Sequence, residues 1–183
     1  MRIADLMTRD VKCCNATDNL AEAARIMWED DCGAVPVVDS DYRIVGMVTD
    51  RDICMAAYTR GVTLHEMGIQ ETMSEAAHCC KETDSLETAH RLMRKLQVRR
   101  LPVIDEDRRP VGLVGLSDLA RRVVELPPGS EAEEAEELVT TYAAVTRPTQ
   151  AAEQEKSWAE LTREPQPGAP GAALHRSAIG STN

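Results

Sequence analysis

The residues best suited to chemistry in this 183-residue chain are six cysteines, four histidines, and a set of Asp, Thr and Arg residues that recurs at a fixed distance. Cys13-Cys14 and Cys79-Cys80 form adjacent pairs, with Cys32 and Cys54 alone, and no CxxC is present. Adjacent cysteines in an extended segment face opposite ways, and a thiol in a reducing compartment acts mainly as a small apolar group. A redox or metal sensor built on the two pairs is the alternative reading of these residues. His65, His78, His90 and His175 have no metal-ligand spacing, so no metal site is expected. There is no GxSxG and no phosphate-binding glycine loop, and no acid, base and nucleophile stand together, so no catalytic residue is assigned and no enzyme is expected. Thr49 and Asp52 stand where a helix would begin, as a cap and a first-turn acid, and Ser117 with Asp118 recur further on.

That recurrence organises the chain. A shift of 66 residues aligns Met7–Ile53 with Met73–Leu119 without a gap, and 18 of the 47 positions are identical. Such self-similarity marks a duplicated structural unit. Each copy reads as a short strand (near Val11–Cys14 and Ala77–Cys80), a helix, two strands and a last helix. Asp18 and Asp84 are expected as caps of the first helices, with Glu87 in capping-box spacing to Asp84. Leu86, Ala89, Leu92, Met93 and Leu96 recur at helical steps, so one face of that helix is buried. The runs Ala34–Val38 and Ile44–Val48, and their counterparts Leu101–Ile104 and Val111–Val114, are strands joined by polar turns. Pro36 and Pro102 lack an amide hydrogen and are expected at a strand edge or start.

A single copy of about 50 residues buries too little surface for comfortable stability, so two copies are expected to pack together. The fold class that follows is α/β (α+β), with two β-α-β-β-α repeats packed sheet to sheet about a pseudo-twofold axis. The expected divisions are repeat one at 1–60, a connector at 61–72, repeat two at 73–125 and a low-complexity, disordered acidic tail at 126–183. The tail holds 9 acidic and 4 basic residues and opens on Pro127-Pro128-Gly129, with Glu131–Val145 as a helix marginal on its own.

Pro36-Val37-Val38-Asp39 with Gly46-Met47-Val48-Thr49-Asp50-Arg51-Asp52, and Pro102-Val103-Ile104-Asp105 with Gly112-Leu113-Val114-Gly115-Leu116-Ser117-Asp118, resemble the paired motifs of the cystathionine-β-synthase (CBS) domain family. The resemblance covers about residues 1–125 and implies a stand-alone tandem pair, or Bateman module, with two clefts between its copies. It implies a regulatory protein that binds an adenosine-containing ligand (AMP, ADP, ATP or S-adenosylmethionine, with AMP or ATP preferred) and signals in trans to another protein. It also implies a flat homodimer.

The site residues carried by the resemblance are Asp52 and Asp118, as acceptors for the ribose hydroxyls, and Thr49, whose hydroxyl at a helix start donates a hydrogen bond to phosphate. Ser117 partly replaces the missing hydroxyl where Gly115 stands in place of a threonine. Adenine is expected against Val35-Pro36 or Leu101-Pro102, read by backbone near Cys13 or Cys79. Arg51, Arg99 and Arg100 are the candidate phosphate partners, whereas Arg91, Arg94 and Lys95 are read as a solvated helix face paired with nearby acids. Gly115 makes the cleft of Thr49 and Asp52 the better of the two. A dimeric adaptor with degenerate clefts is the rival reading. The net charge of −10 argues against a nucleic-acid partner. No run of about 18 apolar residues and no long apolar N-terminal stretch is present, so no membrane span and a cytoplasmic location are expected.

Overall fold

The structure, a computed structural model, describes residues 1–147 apart from 75, 76 and 128. Within it the repeat is built twice: β1 (Cys14–Asn15), α1 (Leu20–Glu29), β2 (Ala34–Val38), β3 (Ile44–Thr49) and α2 (Asp50–Arg60), then β4 (Cys80–Lys81), α3 (Leu86–Leu96), β5 (Arg100–Ile104), β6 (Pro110–Gly115) and α4 (Leu116–Glu125). Each copy forms a three-stranded sheet, ordered β1-β2-β3 and β4-β5-β6, with the first pairing parallel and the second antiparallel.

The prolines fall in the central strand of each sheet rather than at an edge, and the ladder explains why this is tolerated. β1 pairs only with Val37 and Val38, so Pro36 has a neighbour on the β3 side alone, opposite Met47. Pro102 repeats the arrangement opposite Leu113, with β4 reaching only Val103 and Ile104. The missing amide hydrogen therefore faces a gap in the ladder.

The caps differ by one residue from expectation. Asn19 and Ser85 cap α1 and α3, accepting from Glu22 and Thr88 amides. Asp18 and Asp84 instead turn their carboxylates back to the Asn15 and Lys81 amides, each at 2.8 Å, closing the turn between strand and helix.

Two separate apolar cores result, and each borrows from beyond its own repeat. Ile3 and Met7 complete the core of the second copy, where Ile3 N donates to Asp84 O at 2.8 Å and Thr8 exchanges hydrogen bonds with Leu113. Met67 and Ile69 complete the core of the first copy, with Ile69 N donating to Asp18 O at 3.0 Å and Ser74 N to Met47 O at 2.9 Å. The leading segment of each repeat thus crosses to the other. Two glycines make the crossing possible: a β-carbon on Gly112 would lie 2.5 Å from Met7 Sδ and 2.9 Å from Thr8 O, and one on Gly46 would lie 2.8 Å from both Met73 Sδ and Ser74 O. The stretch 61–72 is therefore partly structural, since its 3-10 turn Ile69–Glu71 carries a buried core residue.

The expected tail begins with an ordered element. Helix α5 (Ala132–Val145) packs on α3 and α4, burying Val145 and, at 0% exposure, Thr141. Its amphipathic stripe is weak because what holds it is polar. The Thr141 hydroxyl lies 2.8 Å from His90 Nδ1 and accepts from Arg94 Nη1 at 3.0 Å, while Arg94 also pairs with Glu137. Arg94, read from sequence as a solvated cation paired with nearby acids, is paired across an interhelical contact. The remainder of the expected tail, 148–183, lies outside the described residues.

The corresponding face of the first copy carries no such cover among the described residues. The 66-residue relation puts Ala24 and Trp28 of α1 where α3 has His90 and Arg94, and Trp28 is 87% exposed. Met55 and Tyr58 of α2 are exposed as well.

Candidate functional site

Two cavities lie between the repeats, and each takes the start of a last helix from one copy and the leading edge of a central strand from the other. Cleft one encloses about 470 Å³ and is lined by Thr49, Arg51 and Asp52 from the first copy and by His78, Arg99, Arg100, Leu101 and Pro102 from the second. Cleft two encloses about 340 Å³ and is lined by Gly115, Ser117 and Asp118 together with Cys32, Ala34 and the stretch Thr8–Lys12.

At cleft one the sequence builds a tight helix start. Asp52 Oδ2 accepts from the Thr49 amide at 2.9 Å and from its hydroxyl at 2.7 Å, and the Asp52 amide returns a bond to Thr49 Oγ1 at 3.3 Å. This reciprocal capping box fixes both side chains. It leaves Asp52 Oδ1 without a partner among the described residues, and an ionised carboxylate oxygen of that kind accepts readily from a hydroxyl. The first amides of α2 are engaged, Asp50 N by Gly33 O at 3.3 Å and Arg51 N by Asp50 Oδ1 at 2.7 Å, so it is three guanidiniums, from Arg51, Arg99 and Arg100, that make the same cavity attractive to an anion.

At cleft two the same frame is differently furnished. Asp118 Oδ2 accepts from the Gly115 amide at 2.7 Å, and Asp118 Oδ1 is engaged by Arg121. Both carboxylate oxygens are occupied. The threonine hydroxyl is missing, and the cross-strand partner of Gly115 is Arg100, whose Cγ lies 3.4 Å from where a β-carbon of Gly115 would be. Gly115 thus makes room for the stem of Arg100, whereas the equivalent pair in the first copy is Thr49 with Ala34.

Nine of the thirteen residues picked out from sequence line a cleft: Thr49, Arg51, Asp52, Arg99, Arg100, Leu101 and Pro102 in cleft one, and Ser117, Asp118 and again Arg100 in cleft two. Cys13, Val35, Pro36 and Cys79 line neither. Val35 is wholly buried in the first core, and the place expected for Cys79 is taken by its neighbour His78, that for Cys13 by Val11 and Lys12. From that stretch it is Ala34, which opens β2, and Cys32 just before it that line a cleft. Sequence reasoning passed over His78, Gln97 and Val98. The exchange of leading segments between copies was the missing piece, because it brings the residues just before β4 and β5 to the helix start of the first copy.

Five of the six cysteines are poor reaction centres; Cys54 is exposed. Burial pushes the Cys14 and Cys80 thiols up to about 12, and burial also raises Cys13, Cys79 and Cys32. A thiol held protonated is a weak nucleophile and a weak ligand. Among the described residues no three His, Cys, Asp or Glu side chains gather as a metal site, and no helix is long and apolar enough to cross a membrane.

A family profile described as the CBS domain matches residues 3–58 and again 69–125. The chain belongs to the CBS-domain family. The second match opens at Ile69, where the 3-10 turn enters the first core. Hypoxic response protein 1 of Mycobacterium tuberculosis is 35% identical over 121 residues, covering 66% of this chain and 84% of that protein. Its crystal structure, with two coordinated zinc ions, superposes with a TM-score of 0.61 over 69% of this chain and 100% of its own.

The CBS domain pair of protein MJ0100, in complex with 5′-methylthioadenosine and S-adenosyl-L-methionine, has a TM-score of 0.61 at 24% identity, over 67% of this chain and 94% of that one. CBSX2 in complex with AMP has a TM-score of 0.59 at 22% identity, over 68% and 96%. Some relatives are much longer: the homoserine O-acetyltransferase of Methanohalobium evestigatum is 31% identical over 123 residues, 67% of this chain but only 24% of the enzyme.

Proposed function

We propose that this CBS pair is a regulatory module that binds a phosphorylated adenine nucleotide in cleft one and passes its occupancy to another protein. The observation that carries the reading is the furnishing of cleft one: a free carboxylate oxygen on Asp52, a helix start at Thr49 and three guanidiniums around one cavity. The ribose hydroxyls would donate to Asp52, the phosphate would meet Arg51, Arg99 and Arg100 beside the start of α2, and adenine would lie against Leu101 and Pro102. The AMP held by CBSX2 and the adenosine-containing ligands held by the MJ0100 pair support the same ligand class.

A ligand touching residues of both copies favours one relative packing of them by its differential affinity, which is the physical basis of the signal. We further propose a homodimer, with contact at the face of α1 that carries exposed Trp28, since α5 covers the equivalent place in the second copy, where Arg94 pairs with Glu137. The dimeric adaptor with degenerate clefts fits cleft two better than cleft one, because only in cleft two are both oxygens of the aspartate engaged. Calorimetric titration with AMP, ATP and S-adenosylmethionine tests the reading. Binding by a phosphorylated nucleotide whose tighter site Asp52→Ala removes supports it; no heat with any of the three ends it.

A further inference from the structure

Arg100 is the one charged side chain that lines both clefts, and the repeat explains its position. Its counterpart 66 residues earlier is Ala34, which also lines both, so the two form the wall where the cavities meet. A symmetric wall would carry two alanines or two arginines. This one carries a single guanidinium. Its stem passes over Gly115 in cleft two, and its Nη2 lies 3.6 Å from where a β-carbon of Gly33 would be, at the floor of cleft one. Among the described residues Arg100 forms no ion pair.

The charge balance of both cavities turns on it. In cleft one, Arg51, Arg99 and Arg100 face Asp50 and Asp52; without Arg100 the basic and acidic groups are equal. Cleft two sets four carboxylates against Arg9, Lys12, Arg121 and Arg100; without Arg100 it is net acidic. A guanidinium stays charged and satisfies an anion through a planar fork, which can be aimed at one phosphate at a time.

We propose that Arg100 is shared between the clefts and couples them, so that a phosphorylated ligand in one withdraws the guanidinium from the other. The inference rests on the nucleotide reading of cleft one and adds to it a built-in antagonism between the two sites. Couplings of this sort amount to about 5-fold or more in affinity. Nucleotide at low concentration would then fill cleft one, leave cleft two net acidic and resist a second anion.

The test is calorimetric titration of AMP into the full chain as wild type, Asp52→Ala and Asp52→Ala/Arg100→Ala, with circular dichroism checking the fold. Asp52→Ala removes the ribose acceptor of cleft one; Asp52→Asn, which keeps an acceptor for the Thr49 amide, takes its place should the first variant unfold. The expected result is that cleft two of Asp52→Ala binds AMP at least about 5-fold more tightly than the second equivalent binds wild type, and that adding Arg100→Ala removes the gain. Equal affinities, a gain that survives Arg100→Ala, or no binding to Asp52→Ala overturns the coupling while leaving the reading of cleft one intact. Absence of AMP binding to wild type removes both.

Discussion

Replacing Thr141 by valine tests whether polar contacts, rather than an apolar stripe, fasten α5 to the second repeat. Valine matches threonine in shape, so packing is kept and only the hydroxyl is lost. That hydroxyl is buried with the whole residue at 0% exposure, 2.8 Å from His90 Nδ1 and 3.0 Å from Arg94 Nη1. Arg94 retains Glu137, but the His90 ring nitrogen is left buried without a partner. A buried polar group stripped of its partner costs about 1–3 kcal/mol. For a folded unit of this size that corresponds to a fall in melting temperature of about 2–4 °C per kcal/mol. Thermal unfolding followed by circular dichroism gives the global number, and amide exchange along 132–145 gives the local one. The expected outcome is lower stability together with faster exchange in α5. A change within about 0.5 kcal/mol with unaltered protection of α5 would refute the polar fastening.

The same cluster predicts a pH dependence. Burial lowers the His90 pKa below its ordinary 6.5, with Arg94 acting in the same direction and Glu137 and Glu134 against it; the unfolded state therefore takes up a proton first as pH falls. His90 thus contributes stability that is complete above 6.5 and is lost as pH falls below it, so urea unfolding between neutral pH and about pH 5 should weaken, and His90→Gln should flatten the slope. Gly112→Ala and Gly46→Ala should each destabilise by about 1–3 kcal/mol, since the new methyl meets the backbone oxygen of a crossing segment; unchanged urea midpoints would show that those segments yield freely. Peptide-resolved thiol labelling under native conditions should modify exposed Cys54 quickly and Cys14 and Cys80 very slowly, and rapid labelling of the buried pair would revive a redox role.

Much of this architecture was legible from one relation, the 66-residue repeat, because a duplicated pattern of apolar residues, prolines and turn aspartates constrains strands and helices twice over. Asp39 and Asp105 accept from the backbone of their turns in the same way, and Tyr42 and Arg108 share a left-handed backbone at the same turn position. What the pattern does not carry is which copy a segment packs against. Ile3 and Ile69 are identical and equivalent, yet each completes the other repeat's core, and that long-range crossing is set by close approach at Gly46 and Gly112. The crossing decides the clefts, and explains why His78 lines one while Cys79 does not. Helix α5 was underread for a related reason: its anchoring lies in Thr141 and Glu137 meeting His90 and Arg94, about 50 residues away, which no local periodicity reports. The departure at Gly115 was visible in the sequence, but its cause, the Arg100 stem beside it, required the strand register.

The central claim is that a phosphorylated adenine nucleotide occupies the cleft formed by Thr49 and Asp52 with the leading edge of β5. A crystal structure of the full chain grown with AMP tests it most directly. The account predicts AMP in cleft one, its ribose hydroxyls on Asp52, its phosphate at the start of α2 with Arg51, Arg99 or Arg100, and its base against Leu101 and Pro102. AMP bound elsewhere, or a cleft one that stays empty at saturating AMP, would contradict it.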